Sequence, residues 1–193
     1  MTREPTGSMD SGDAQDQLSL ATDVVSLLKS RHETLATAES LTGGLVAAAL
    51  TDVAGSSAVI RGGIVAYAIE VKRDVLAVDA AVLSQHGAVS AEMAVEMAAR
   101  AVELFTSTWS VSTTGVAGPD RQDGQPVGTV HVAVARSDPA RRGAADEATG
   151  ATCVSRGVGV KTTRLALTGS RRDIRVATVR AALRALRECL ADP

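Results

Sequence analysis

Three short stretches of this chain carry residues whose types and spacing could do chemistry. The first is Glu39-Ser40-Leu41-Thr42-Gly43-Gly44. Thr34 to Ala38 reads as a short strand before it, and the Ala-rich Leu45 to Leu50 reads as a buried helix after it. Ser40 would sit on the turn at the carboxyl end of that strand, where open α/β sheets place their ligands. Backbone N–H groups at a helix start are unpaired, and the helix dipole is positive there. Thr42, Gly43 and Gly44 would therefore offer amides to a phosphate or an oxyanion. A plainer role for the same residues is a Ser or Thr cap with glycines for close packing.

The second stretch holds Tyr67 and Lys72. The chain has only three lysines, Lys29, Lys72 and Lys161, among many arginines. A position that keeps Lys in such a chain can require a group able to lose its proton, which Arg cannot do. A serine nucleophile needs a base, and a neutral lysine can serve. Bringing a lysine from about 10.4 to about 7 costs roughly 4 to 5 kcal/mol of ammonium stabilisation. Burial beside apolar strand residues can supply that shift. Tyr67, the only tyrosine, ends the expected second strand and could relay a proton or orient a substrate. A solvated surface lysine and a half-buried strand aromatic are the bland alternatives.

The third stretch, Thr113-Thr114-Gly115, ends another expected strand in the same strand-to-glycine pattern. Two parallel strands ending this way would converge on one ligand, with Gly118-Pro119-Asp120 as a rigid lip. A plain turn has the same Gly and Pro content. Other patterns fail. Gly157 to Thr162 resembles a phosphate loop, but Val160 stands where Walker spacing needs Gly before Lys161. His32, His86 and His131 show no metal spacing, and no metal is expected. Arg171 opens the last expected helix and could meet an anionic ligand bidentately.

The elements that must position these residues follow from apolar spacing. Residues 1–15 are nearly without apolar side chains and read as a disordered tail, leaving 16–193 as one domain. Leu18, Ala21, Val24, Val25 and Leu28 give a first helix face. Ile60 to Tyr67 reads as a strand. Asp79 to His86 reads as a short helix stopped by Gly87, and Ser90 caps a longer one to Phe105. Met93, Ala94, Met97, Ala101 and Leu104 fall at core spacing in it. Trp109–Thr113 and Thr129–Ala135 are strands, and 137–150 is a polar, mobile loop. Ala151–Val154 and Arg164–Leu167 read as two weak strands or one interrupted strand. Ser170 with Asp173 makes a capping-box-like start to the final helix. In that helix Ile174, Ala177, Ala181, Leu186 and Leu190 form the apolar stripe. Its arginines, Arg172, Arg175, Arg180, Arg184 and Arg187, read as largely solvent-facing. The alternation argues a three-layer α/β/α sandwich around a mixed, mostly parallel sheet.

Composition narrows the function. With 193 residues and aromatics at 2%, the chain lacks the rings of a single-strand nucleic-acid platform. A formal net charge of −2 gives no general field for nucleic acid. No apolar run approaches the roughly 18 residues of a membrane span, and no signal-peptide core follows Met1. Cys153 and Cys189 make neither a metal spacing nor a disulfide framework. A cytoplasmic protein without nucleic-acid or membrane partners is expected.

Read together, these stretches resemble the CinA C-terminal domain family, which includes the bacterial nicotinamide-nucleotide amidohydrolases (PncC). The resemblance rests on Ala38 to Gly44, Gly63 to Tyr67 with Lys72, His86 to Ser90, Thr114 to Pro119, Pro126 to Val130, and Gly169 to Arg171, in family order over roughly 17–190. It implies a nicotinamide mononucleotide deamidase releasing nicotinic acid mononucleotide and ammonia. Ser40 matches the nucleophile, Lys72 the base, Tyr67 and Thr114 the assisting polar residues, and Arg171 an active-site arginine. Thr42, Gly43, Gly44, Gly115 and Arg171 would bind the pyridine mononucleotide. No cofactor is implied, and a homo-oligomer, taken as a dimer, is expected. The chain departs from the family at Leu41 (commonly Cys), at Ala68 to Val71 (commonly with Asn), at Asp120 to Gly124 (commonly Asp-Gly-Gly) and at Ser170 (commonly Asp). Two other readings share these residues. One is a non-catalytic module binding a pyridine nucleotide or a competence-related protein. The other is an amidase acting on a different carboxamide.

Overall fold

The computed structural model describes residues 11–137 and 158–191. Helix α1 (Ser11–Arg31) leads into strand β1 (Leu35–Glu39), helix α2 (Leu45–Thr51), a 3-10 turn at Ser56–Ala58 and strand β2 (Ile60–Val65). Three helices follow, α3 (Ile69–Asp74), α4 (Ala80–His86) and α5 (Ala91–Phe105). Strands β3 (Trp109–Gly115), β4 (Thr129–Ser137) and β5 (Val158–Ala166) precede α6 (Arg171–Ala191).

The sheet order is β2-β1-β3-β4-β5. Strands β2, β1 and β3 pair in parallel, whereas β4 is antiparallel to both β3 and β5. Four strands thus run one way and β4 alone runs the other, the mixed and mostly parallel sheet expected. The carboxyl ends of β1, β2 and β3 come together at one pole. In-register pairing of Glu39 with Val65, the last residue of β2, and with Thr113 of β3 puts Ser40 one residue past both pairs.

Alternation along each strand divides the core between two faces. On one, Leu35, Trp109, Val111, Val130, Val132 and Val134 pack against α1, α2 and α6. On the other, Ala38 packs with Met93, Met97 and Ala101 of α5, and Ala133 and Ala135 pack with Ala94, Ala98 and Ala99. The small side chains there let α5 come close enough for strand hydroxyls to reach its backbone and that of the turn before it. Ser110 donates to the Ala98 carbonyl at 2.6 Å, Ser112 to Ala94 at 2.5 Å and Thr114 to Ala88 at 2.5 Å. This every-second-residue ladder satisfies hydroxyls whose burial would otherwise cost on the order of 1–3 kcal/mol each.

Helix caps fall where the sequence puts them. Asp79 accepts from Ala81 N at 2.7 Å, and Ser90 accepts from Met93 N at 3.1 Å. Ser170 and Asp173 form a reciprocal box, with Ser170 N on the Asp173 carboxylate at 2.8 Å.

Several expectations change. The first helix already begins at Ser11, so residues 11–15 are helical rather than tail. Asp13 and Asp16 explain why, since they pair with Arg180 and Arg184 of α6. Leu18 and Leu104 are exposed rather than core; Leu20 fills the first position, and Leu104 lies beyond the buried face of α5. The second strand stops at Val65, and a helix absent from the sequence reading, α3, carries Lys72. Ala177 and Ala181 sit at the edge of the α6 stripe, whose buried line runs through Thr178, Ala182 and Leu183. The final strand is one continuous element from Val158, and the rejected phosphate-loop stretch from Val158 to Thr162 lies in it. Of the loop expected over 137–150, Ser137 is the last residue of β4; the rest of it and the weak strand at Ala151–Val154 lie outside the described residues. No helix among the described residues is long and apolar enough to cross a membrane.

Candidate active site

Ser40 follows the last residue of β1, and its amide donates to the Thr113 carbonyl at 2.9 Å. That bond extends the β1–β3 ladder one residue past the strand and fixes the serine at the pole of the sheet. The chain then turns through Gly43 and Gly44, whose φ values of 62° and 95° suit glycine. The Thr42 hydroxyl lies 2.7 Å from that of Thr113, which ties the turn to β3.

Lys72 reaches Ser40 from α3. Its Nζ donates to Ser40 Oγ at 3.0 Å, to the Ala66 carbonyl at 2.6 Å and to the Tyr67 carbonyl at 3.4 Å. The residue is only 2% exposed. Burial drives its pKa from 10.5 down to about 8, with Asp123 acting in the opposite direction. Among the described residues no carboxylate hydrogen-bonds the ammonium, which is why desolvation prevails. A base poised near neutrality thus touches a serine hydroxyl, the arrangement of an activated nucleophile.

The helix start behind Ser40 has a different use from the one expected. The buried Glu39 carboxylate accepts from the amides of Gly44 at 2.9 Å, Val46 at 3.1 Å and Ala47 at 2.8 Å. The Gly43 amide is turned onto the Ser40 carbonyl at 3.0 Å. Those amides are occupied, so Gly43 and Gly44 supply the turn and not an anion cradle. The amides of Leu41 and Thr42 have no acceptor among the described residues. Sequence reasoning missed Glu39; its place immediately before the turn, at a helix N-terminus, was the available signal.

A pocket opens in front of Ser40. Leu41, Tyr67, Gly115 to Gly118, Asp120, Gln122 and Arg171 line it with the serine. Arg171 spans its mouth, with Nη1 donating to the Gly118 carbonyl and Nη2 to the Tyr67 hydroxyl, each at 2.5 Å. Tyr67 is 55% exposed, so its ring stands in the mouth rather than in the core. Thr114 is different. Its hydroxyl is directed to Ala88 and its side chain is fully buried, so it braces the site from behind.

Arg175 was expected to face solvent. It is half-buried, and it donates to the carbonyls of Leu41 at 3.0 Å and Thr42 at 2.8 Å. One guanidinium thereby holds the two residues after Ser40, a contact that an arginine-rich helix face gives no sequence signal for. His131 is buried apart from the pocket; burial and Arg164 hold its imidazolium below the usual range. No cluster of metal-ligating side chains occurs among the described residues.

A buried lysine on a serine hydroxyl, at the carboxyl ends of three parallel strands in a three-layer sandwich, defines an α/β domain with a Ser/Lys pair at its pole. A family model of the CinA C-terminal domain matches residues 17–145, and the chain belongs to that family. It is 51% identical over 127 residues to a CinA-like protein of Frankia casuarinae, covering 66% of this chain and 29% of that protein. Against a CinA-like protein of a Synechococcus strain it is 51% identical over 124 residues, covering 64% and 30%. The chain thus spans about three tenths of the length of these relatives. Its fold matches the crystal structure of competence damage-inducible protein A from Klebsiella pneumoniae with a TM-score of 0.78 and 34% identity, over 91% of this chain and 98% of that one. A competence/damage inducible protein from Agrobacterium tumefaciens matches with a TM-score of 0.77 and 34% identity over all of both chains.

Proposed function

We propose that this domain is an amidohydrolase that deamidates nicotinamide mononucleotide through Ser40 and Lys72. One observation carries the reading: Lys72 Nζ lies 3.0 Å from Ser40 Oγ in a niche that brings the lysine to about 8. The substrate comes from the resemblance of the site motifs to the nicotinamide-nucleotide amidohydrolases of the family.

Neutral Lys72 takes the Ser40 proton as Oγ attacks the carboxamide carbon. The amides of Leu41 and Thr42 are the available donors for the oxyanion, and losing one such donor costs on the order of 10²–10³ in rate. The intermediate collapses as the Lys72 ammonium gives its proton to the departing nitrogen, and ammonia leaves. Water then gives a proton to Lys72 and attacks the acyl carbon. The Ser40 ester bond breaks, and Lys72 returns the proton to Oγ. The sum is carboxamide plus water to carboxylic acid plus ammonia. Tyr67 and Arg171 orient the nucleotide at the mouth, Gly115 lets it approach the end of β3, and Thr114 braces the Ala88 turn. The active unit in this reading is a homodimer in the cytoplasm, without metal or cofactor.

The test is ammonia release from nicotinamide mononucleotide by the purified chain, with Ser40→Ala and Lys72→Ala alongside. Release that both substitutions abolish in folded protein is expected. Release undiminished by Ser40→Ala overturns the mechanism. A folded chain that gains thermal stability with the nucleotide but releases no ammonia is a binding module instead.

A further inference from the structure

The loop between β3 and β4 is fastened at its base, its entry and its tip. At the base, the Val116 amide donates to the Thr129 carbonyl at 2.9 Å, and the Gly128 amide to the Val116 carbonyl at 2.8 Å. At the entry, Arg171 holds the Gly118 carbonyl. The tip is a tight hairpin. Gln122 N donates to the Gln125 carbonyl at 3.3 Å, and Gln125 N to the Gln122 carbonyl at 2.8 Å. Asp123 and Gly124 between them have φ 49° and 72°, the left-handed pair that an Asp-Gly hairpin turn requires. This turn is not left in solvent. Asp123 Oδ2 accepts from the Ala88 amide at 2.8 Å, and the Ala88 carbonyl takes the Thr114 hydroxyl at 2.5 Å. Ala88, in the turn between α4 and α5, therefore ties the hairpin to the end of β3. Gly87 leaves room for the carboxylate, since a Cβ there would sit 3.2 Å from Oδ2.

Asp120 and Gln122 fall between the entry and tip anchors, and both line the pocket that holds Ser40 and Arg171. Their chemistry is unlike that of the arginine. A guanidinium only donates and suits an anion. A carboxylate only accepts, and a carboxamide both accepts and donates, so the two suit hydroxyl groups. We propose that Asp123 is a positioning residue: its grip on the Ala88 amide holds Asp120 and Gln122 as the wall that recognises the ribosyl hydroxyls of the substrate, leaving the phosphate to Arg171. The inference rests on the nicotinamide mononucleotide reading above. With the carboxamide at Ser40 and the phosphate at the guanidinium, the sugar is the part left for the acceptors. An acidic side chain on a ribose hydroxyl is also how dinucleotide sites hold that sugar.

Binding to the folded chain separates the parts. Ribose 5-phosphate carries the sugar and the anion without the carboxamide, and inorganic phosphate carries the anion alone. NMR titration gives a Kd for each. Asp123→Gly accepts the φ of 49° and removes the carboxylate, whereas Asp123→Asn keeps an oxygen for the Ala88 amide. Gln122→Ala trims an exposed side chain and leaves the fold intact. The Kd of ribose 5-phosphate is expected to rise about 5–20-fold in Asp123→Gly and in Gln122→Ala, the loss of a hydrogen bond or two, while that of phosphate moves by less than about twofold. Asp123→Asn restores the ribose 5-phosphate Kd to within about twofold of wild type, because the pin is kept. In ammonia release from nicotinamide mononucleotide, KM rises with that Kd and kcat stays within about threefold, since Ser40 and Lys72 are untouched. A wild type that binds ribose 5-phosphate no more tightly than phosphate overturns the inference. So does an unchanged ribose 5-phosphate Kd in Asp123→Gly, or an equal weakening of both ligands, and each leaves turnover by Ser40 and Lys72 standing. A selective loss of ribose 5-phosphate in a chain that releases no ammonia sustains the pin and overturns the deamidase reading instead.

Discussion

Two buried charges flank Ser40, and they are treated in opposite ways. Glu39, on the near side, is 1% exposed and accepts three helix amides. Lys72, on the far side, is 2% exposed and has two carbonyls and one hydroxyl. The carboxylate is surrounded by donors at the positive end of a helix, so its charge is compensated where it sits. The ammonium has only neutral acceptors, so its charge is under-compensated and readily given up. Equal burial therefore yields a structural group in one case and a proton carrier in the other. What separates them is the number and polarity of the partners.

The comparison breaks first at Ser40 and Lys72. Ser40→Ala is expected to lower deamidation on the order of 10³-fold or more without loss of fold, measured by ammonia release and thermal melting. Retained turnover would mean the under-compensated lysine serves no nucleophile. Glu39→Gln should do the reverse. It leaves a buried amide facing three N–H groups and costs roughly 2–4 kcal/mol. At about 2–4 °C per kcal/mol the melting temperature falls by roughly 5–15 °C. A melting temperature within a degree of wild type would show that Glu39 does not cap α2.

Lys72→Met sharpens the contrast through pH. The folded pKa of about 8 lies below the ordinary 10.5. Below pH 8 both states hold the proton, and the folded state bears a penalty of roughly 3 kcal/mol at ~1.4 kcal/mol per unit. Between 8 and 10.5 the folded protein has released the proton and the unfolded chain has not, so stability rises with pH across that window. Lys72→Met should therefore be more stable than wild type at pH 7, by about 1–2 kcal/mol after the lost hydrogen bonds are counted. Urea unfolding should show the wild type gaining on it as the pH approaches 10. For the wild type, the rate should climb with pH to a plateau above about 8, in step with neutral Lys72.

Smaller effects belong to the supports. Arg175→Met frees the carbonyls of Leu41 and Thr42 and should lower turnover about 10-fold, since small misplacements at a reacting group are costly. Tyr67→Phe removes only the exposed hydroxyl that accepts from Arg171. It should change stability by less than about 0.5 kcal/mol and act mainly on KM in steady-state kinetics.

Much of the scaffold was legible in the sequence because its signals are local. Asp79, Ser90 and the Ser170–Asp173 box are caps that act within one turn, and each marks its helix start. The strand at Thr129–Ala135 was legible too, and in the fold its valines lie on one face. The Ser40 turn, Lys72 and the mouth residues Tyr67 and Arg171 were legible as candidates; Ser40, Tyr67 and Arg171 line one pocket, and Lys72 is hydrogen-bonded to the serine. What was not legible depends on contacts distant in sequence. Helix α3 is too short to show periodicity, and its inward residue is a lysine. Glu39 and Arg175 reveal their partners only once a helix start and a distant helix are brought to the same turn. Thr114 has the residue type of a site group, but its hydroxyl is directed to the Ala88 carbonyl in the turn before α5. Asp123 sits in a loop whose polar composition gives no hint that one of its carboxylates is pinned.

The reversed direction of β4 also separates the molecule into a working end and a spare end. Ser137 pairs with Val158, and Trp109 with Arg136, at the edge of the sheet opposite Ser40. A seven-residue strand, β3, spans the interval, so roughly 20 Å of sheet lies between them at about 3.3 Å per residue. A dye or an affinity handle joined at the exposed Arg136 would ride on that far end. It would report on or immobilise the protein without crowding the mouth beside Tyr67 and Arg171.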